Sequence, residues 1–123
     1  MSNRKALVVD DGAMNRSFIK TFLTTKGFGV DTAEDGLIGL DKAKQDSFDL
    51  IFTDIEMPNM NGLEFLKNVK RIDAYKAVPI VVLSTVDKPE VIERAKKMGA
   101  VYYMVKPFNE DKMAEALKAA GMD

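Results

Sequence analysis

Six side chains able to do chemistry stand at or just past the ends of short apolar runs in this 123-residue chain. Asp10 and Asp11 follow Ala6-Leu7-Val8-Val9, and Asp54 follows Leu50-Ile51-Phe52-Thr53. Ser84 and Thr85 follow Ile80-Val81-Val82-Leu83, and Lys106 follows Val101-Tyr102-Tyr103-Met104-Val105. Carboxylates grouped with a hydroxyl and an ammonium can handle an anion, and a carboxylate oxygen can attack phosphorus to give an acyl phosphate. Phosphoryl transfer asks the protein mainly to position groups and neutralise charge, which suits a cation, a lysine and a hydroxyl. The chain has no His and no Cys. That removes the usual general base, a phosphohistidine intermediate, thiolate chemistry and the usual zinc ligands.

Whether these groups meet depends on the elements that carry them. The apolar runs, with Phe28 to Ala33 as the second of five, are short and rich in β-branched or aromatic residues. Three are continuous apolar runs, as expected of strands covered on both faces. Between them lie segments of helical period: Met14, Phe18, Phe22; Leu37, Leu40, Ala43; Leu63, Leu66, Val69; Val91, Ala95, Met98; Met113, Leu117, Ala120. Each set predicts the buried face of a helix, so Met14, Met98 and Met113 read as gap-fillers in the core. Gly27, Gly99 and Gly121 read as helix stops. Asp87 with Glu90 reads as a capping box around Pro89, and Asn109 before Glu110 and Asp111 as a second helix start. Five strand–helix units in alternation predict an α/β domain with a parallel sheet and right-handed crossovers. In such sheets ligands bind outside the carboxyl ends of the strands, where the six residues lie.

Taken singly, each residue has an ordinary explanation: a strand-end Asp usually caps a helix or forms a turn, and a Lys is usually solvated. Together they do not. Carboxylates about 4 Å apart at an effective dielectric of ~20 repel by several kcal/mol per pair. A fold stable by only ~5–15 kcal/mol keeps such a cluster for a function or an ion. Without His or Cys, the ion expected is a hard one, Mg²⁺ or Mn²⁺ before Ca²⁺. Asp54 is the expected nucleophile, because the middle of a parallel sheet is its most buried part.

Composition sets the outer bounds. Eighteen basic against nineteen acidic residues, net charge −1, excludes a globally basic nucleic-acid binder or a polycationic membrane-surface protein. The N-terminal apolar run stops at Asp10, too short for a signal peptide, and Ala77 to Leu83 is too short to span a bilayer. No nucleic acid and no membrane are therefore expected as partners, and the expected compartment is cytoplasmic.

Four blocks now point to a family. Val8-Val9-Asp10-Asp11, Thr53-Asp54-Ile55-Glu56-Met57-Pro58 with Asn61-Gly62, Val82-Leu83-Ser84-Thr85 and Val105-Lys106-Pro107-Phe108 resemble the receiver domains of two-component response regulators. The resemblance runs from about Lys5 to Leu117, with Ser84 thirty residues after Asp54 and Lys106 twenty-two after Ser84. It implies a doubly wound, five-stranded, flavodoxin-like (βα)5 fold with strand order 2-1-3-4-5. It also implies that Asp54 is the phosphoacceptor, and that Asp10, Asp11, Asp54 and the Glu56 backbone carbonyl hold Mg²⁺. Ser84 would be the switch hydroxyl, Lys106 the cation pairing with the phosphoryl group, and Tyr103 the aromatic that swings inward on activation. The Lys106–Pro107 bond would be cis. The phosphodonor would be a histidine kinase or phosphotransfer protein, and the reading surface helix four, strand five and helix five.

Two positions are expected to tune rate: Glu56, whose carboxylate can add negative charge at the site, and Thr85, which narrows access to Asp54. Tyr102 and Tyr103 must face opposite sides of their strand. The residues are expected to form a stand-alone receiver over 1–123, a monomer without an output domain, that signals through protein contact as in chemotaxis or a phosphorelay. It would be a switch rather than an enzyme, beyond its own phosphotransfer and autodephosphorylation. An aspartyl-phosphate phosphohydrolase of haloacid-dehalogenase type is the alternative, though it would place the nucleophile after the first strand and need a substrate cap. A flavodoxin-like cofactor carrier is disfavoured because Asp10 and Asp11 repel a phosphate and no Gly-rich phosphate loop is present.

Overall fold

The computed structural model describes residues 4–122. Its elements alternate: β1 (Lys5–Val9), α1 (Ala13–Thr25), β2 (Gly29–Ala33), α2 (Gly36–Gln45), β3 (Leu50–Asp54), α3 (Gly62–Lys70), a 3₁₀ turn (Asp73–Tyr75), β4 (Ile80–Ser84), α4 (Pro89–Lys97), β5 (Ala100–Val105) and α5 (Glu110–Ala119). All strand pairings are parallel and the sheet runs β2-β1-β3-β4-β5. This is the doubly wound order expected. Every residue of β3 and β4 is buried, which is why those runs are apolar without alternation.

Alternate strand residues feed two cores. Leu7, Val9, Ile51 and Val82 face α2, α3 and α4, whose Ala43, Phe65, Leu66, Val69 and Ala95 cover them. Ala6, Val8, Leu50, Phe52, Val81 and Leu83 face α1 and α5, covered by Ile19, Phe22, Leu23, Met113, Ala116 and Leu117. The sheet is thereby buried on both sides and its ligand-competent edge is the carboxyl end. No helix among the described residues is long and apolar enough to cross a membrane.

Three sequence expectations change. On α1, Met14 is 87% exposed and Phe18 38% exposed, while Ile19, Phe22 and Leu23 are buried. The apolar stripe is wider than the contact, and the sheet takes the stripe one residue on, about 100° round the helix. Phe18 packs instead on Phe108, with ring centroids 5.7 Å apart. On α2, Leu37 is 48% exposed because the contact stripe is Gly36, Gly39 and Ala43. A Cβ on Gly39 would lie 2.8 Å from Val9 Cγ2, so small residues let this helix sit close and push Leu37 aside. Met98 is only partly buried against the core, whereas Met113 is fully buried.

The third change is at α4. Lys88, not Asp87, is its N-cap, and no side chain caps it. Pro89 demands an extended residue before it and fixes its own φ, so the helix begins at Pro89 and leaves Asp87 one residue too early to cap. Three other helices are capped by side chains: Asp35 accepts from Ile38 N–H on α2, Asn61 from Glu64 N–H on α3, and Asn109 from Lys112 N–H on α5. Gly27, Gly99 and Gly121 follow α1, α4 and α5 with φ of +93°, +116° and +73°, a region costly for any side chain.

Candidate functional site

The carboxyl ends of β1, β3, β4 and β5 bring four of the six residues to one rim. Asp10 is fully buried. Its backbone N–H donates to Ala33 O at 3.0 Å, and its Oδ1 accepts Gly12 N–H at 2.8 Å, so both β2 and the start of α1 orient it. Arg16 adds a bond from its guanidinium to the Asp10 carbonyl, 2.8 Å. Asp54 is 3% exposed. Its Oδ1 accepts Ile55 N–H at 2.8 Å and its Oδ2 accepts Lys106 Nζ at 2.9 Å. The Lys106 backbone N–H donates to Ser84 O at 2.8 Å, tying β4 to the segment that carries the ammonium. The Lys106–Pro107 peptide bond is cis.

Charge is unevenly balanced there. Burial, reinforced by Asp10, pushes the Asp54 carboxyl up to about 6 against the opposing pull of Lys106 and the Ile55 N–H. Burial works against the Lys106 ammonium too, yet Asp54 and Asp10 outweigh it and hold its pKa above the ordinary value. Asp11 is exposed beside the buried pair. One carboxylate oxygen each from Asp10, Asp11 and Asp54 lie within 4.8 Å of one another. Asp10 Oδ2, 3.3 Å from Lys106 Nζ, makes no hydrogen bond and is the one buried side-chain polar atom left so among the described residues. An all-oxygen set with a buried, under-bonded carboxylate oxygen fits a hard divalent cation.

The loop after β3 contributes a carboxylate. The Glu56 carboxylate accepts the Ser84 hydroxyl, 3.0 Å from Oε2, and Thr85 Oγ1 lies 3.5 Å from Oε1. Ser84 itself is fully buried, and Thr85 is exposed. The loop is pinned from the far side by a contact absent from the sequence reading: Asn59 Nδ2 donates to Asp35 Oδ2 at 2.8 Å, and Asn59 takes φ +68°. Asp35 beside Gly36 at the start of a helical period was the available signal, since such an Asp is a cap candidate. Where β4 pairs with β5 the register shifts between Ile80 and Val81, so that Ile80 pairs with Ala100 and Val81 with Tyr102. Tyr103 is buried with its hydroxyl donating to Val86 O at 2.7 Å, while Tyr102 faces the other way and donates to Glu115. Burial raises the Tyr103 phenol above its ordinary value, opposed by Ser84 and reinforced by Glu56, Asp54 and Asp87.

A parallel sheet of this order carries an Asp pair after β1, an Asp at the end of β3 and a Lys after β5. The chain belongs to the response regulator receiver domain family, whose model matches residues 6–118. Within that family it is of CheY type. It is 39% identical over 114 residues to the chemotaxis protein CheY of Bacillus subtilis, covering 92% of this chain and 93% of that one. It is 36% identical over 116 residues to chemotaxis protein CheY-3 of Vibrio cholerae, covering 94% and 89%. The structure of Vibrio cholerae CheY4 superposes with a TM-score of 0.90 at 38% identity, covering 97% of this chain and 99% of that one. CheY of Borrelia burgdorferi, solved in a CheX–CheY–BeF3–Mg²⁺ complex, matches with a TM-score of 0.90 at 27% identity, covering 98% and 90%.

Proposed function

We propose that this chain is a phosphorylation switch of the chemotaxis type, taking a phosphoryl group on Asp54 from a histidine kinase or phosphotransfer protein. The observation that carries the reading is the Asp54 carboxylate: buried at the end of β3, with Lys106 on one oxygen and the Ile55 N–H on the other. An Asp54 oxygen attacks the donor's phosphorus, a P–O bond forms, and the donor's P–N or P–O bond breaks with its electron pair leaving on the donor. Lys106 stays beside the new acyl phosphate and offsets part of its charge of about −1.5 to −2. The Ser84 hydroxyl donates to a phosphoryl oxygen, while Tyr103 already stands inward with its phenol on Val86 O. Helix α4, β5 and α5 then form the surface a partner protein reads. A haloacid-dehalogenase-type hydrolase is disfavoured because the nucleophile candidate ends β3, not β1.

Asp10, Asp11 and Asp54, with the Glu56 backbone carbonyl, are the residues proposed to hold Mg²⁺. When bound, the ion neutralises charge on the phosphoryl oxygens. The relative solved with BeF3 and Mg²⁺ supports that assignment by similarity. A ligand that binds only the folded state stabilises it as RT ln(1 + [L]/Kd). Asp11→Ala is therefore expected to abolish the rise in melting temperature on adding Mg²⁺, without lowering metal-free stability, since it deletes one repelling charge. A metal-free variant that melts lower and still responds to Mg²⁺ overturns the assignment.

Incubation with acetyl phosphate and Mg²⁺ tests the function itself. Intact-mass spectrometry is expected to show one added phosphoryl group on wild type and none on Asp54→Asn. Equal labelling of the two overturns the reading.

A further inference from the structure

The Ser84 hydroxyl has one proton and can donate it to one acceptor at a time. Here that acceptor is the Glu56 carboxylate, 3.0 Å from Oε2 and 3.4 Å from Oε1. The Ser84 oxygen also accepts the Val86 N–H at 2.9 Å, and the Val86 carbonyl accepts the Tyr103 hydroxyl at 2.7 Å. Hydrogen bonds therefore link the loop after β3 to the end of β4 and to the Val86 N–H, and the Val86 carbonyl separately to the phenol on β5. Ser84 makes no hydrogen bond to Asp54, whose two oxygens are held by Ile55 and Lys106.

We propose that Glu56 is a positioning residue that latches the Ser84 hydroxyl. Its carboxylate holds the Ser84 proton in competition with a phosphoryl group on Asp54. The inference rests on the reading of Asp54 as phosphoacceptor and adds a second, opposing acceptor that belongs to this chain's own loop. A hydrogen bond to an ionised acceptor is about twice as strong as a neutral one, so only a comparably charged group can draw Ser84 away. Glu56 thus sets how tightly a phosphoryl mimic binds.

Two measurements test it. In the first, beryllofluoride with Mg²⁺ is titrated into wild type, Glu56→Ala and Glu56→Gln, each with Ser84 intact and with Ser84→Ala. Glu56→Ala is expected to bind the mimic about tenfold more tightly than wild type, the range of a charged hydrogen bond, with Glu56→Gln between them. The gain is expected to vanish in the Ser84→Ala background, because the cycle isolates the contact between the two residues. A gain that survives there belongs to plain charge repulsion and overturns the latch.

The second measurement needs no modification of Asp54. Glu56→Ala is expected to shift the backbone amide proton and nitrogen resonances of Val86, whose N–H the Ser84 oxygen accepts, in the metal-free, unmodified protein. Unmoved resonances overturn the latch whatever beryllofluoride does. A wild type that takes no beryllofluoride at Asp54 counts against the phosphoacceptor reading instead, and the spectra of the unmodified protein still decide for or against Glu56.

Discussion

Replacing Asp54 with asparagine is expected to raise the melting temperature of the metal-free protein at pH 7.5, by about 6 °C for a domain of this size. The acceptor candidate is a stability defect when no cation is bound. Its carboxyl is pushed from 3.8 to about 6, first by burial and then by the Asp10 charge, with Lys106 and the Ile55 N–H opposing. The folded state therefore holds this proton more tightly than the unfolded chain does. For a group raised in this way, the stabilising contribution is fully present below pH ~4 and is lost as pH rises through about 6. At neutral pH the folded protein carries an ionised, buried carboxylate at a cost on the order of 2 kcal/mol. Asparagine keeps the shape and the acceptor for Lys106 without the charge. The gap between variant and wild type should open between pH 4 and 7 and close again on acidification. Thermal melts across that range, in chelator, measure it; a wild type that matches Asp54→Asn at pH 7.5 overturns the charge account.

That defect was partly legible in the residues, because the rim follows from strand ends. Continuous apolar runs mark β3 and β4, which are buried at every position, and whatever follows a buried parallel strand must emerge at the carboxyl edge. Asp10, Asp54, Ser84 and Lys106 needed only that rule to be placed together. Helix faces were less legible. On α1 the stripe through Met14 and the one through Ile19 share Phe22, and only the sheet's position decides which is buried. On α2 the contact is made by glycines, which carry no hydrophobic signal at all.

Contacts between loops were least legible. Glu56 meets Ser84 across twenty-eight residues, and Asn59 meets Asp35 across twenty-four. Neither pair has a local period, and each depends on how two strand-end loops lean over the same edge. The capping box at Asp87 failed for a local reason instead, because Pro89 sets the first helical residue. Patterns that repeat along one element were readable, and meetings between elements were not.

Gly62→Ala is expected to act in the opposite direction to Asp54→Asn, at almost the same place. Gly62 opens α3 and donates its N–H to Ile55 O at 2.8 Å. A Cβ there would stand 1.8 Å from the Asp54 carbonyl oxygen, 2.7 Å from its carbon and 2.8 Å from Ile55 Cα. All three are backbone atoms, so no side chain can rotate out of the way. Asp54 is fixed in the ladder with β4, and α3 is fixed by the fully buried Phe65, Leu66 and Val69. Either the strand end or the helix must move. Ordinary overpacking costs 1–3 kcal/mol, and a clash between two rigid backbones should cost about 3 kcal/mol or more, lowering the melting temperature by about 10 °C. The segment that yields is the loop from Ile55 to Asn61, which supplies the N–H on Asp54 and the carboxylate on Ser84. Labelling by acetyl phosphate should therefore fall in the fraction that still folds. Gly29→Ala is the control: its Cβ would meet nothing closer than 3.9 Å, and its melting temperature should barely change. If Gly62→Ala melts with the control and labels like wild type, the close approach of α3 to the acceptor strand does not position Asp54.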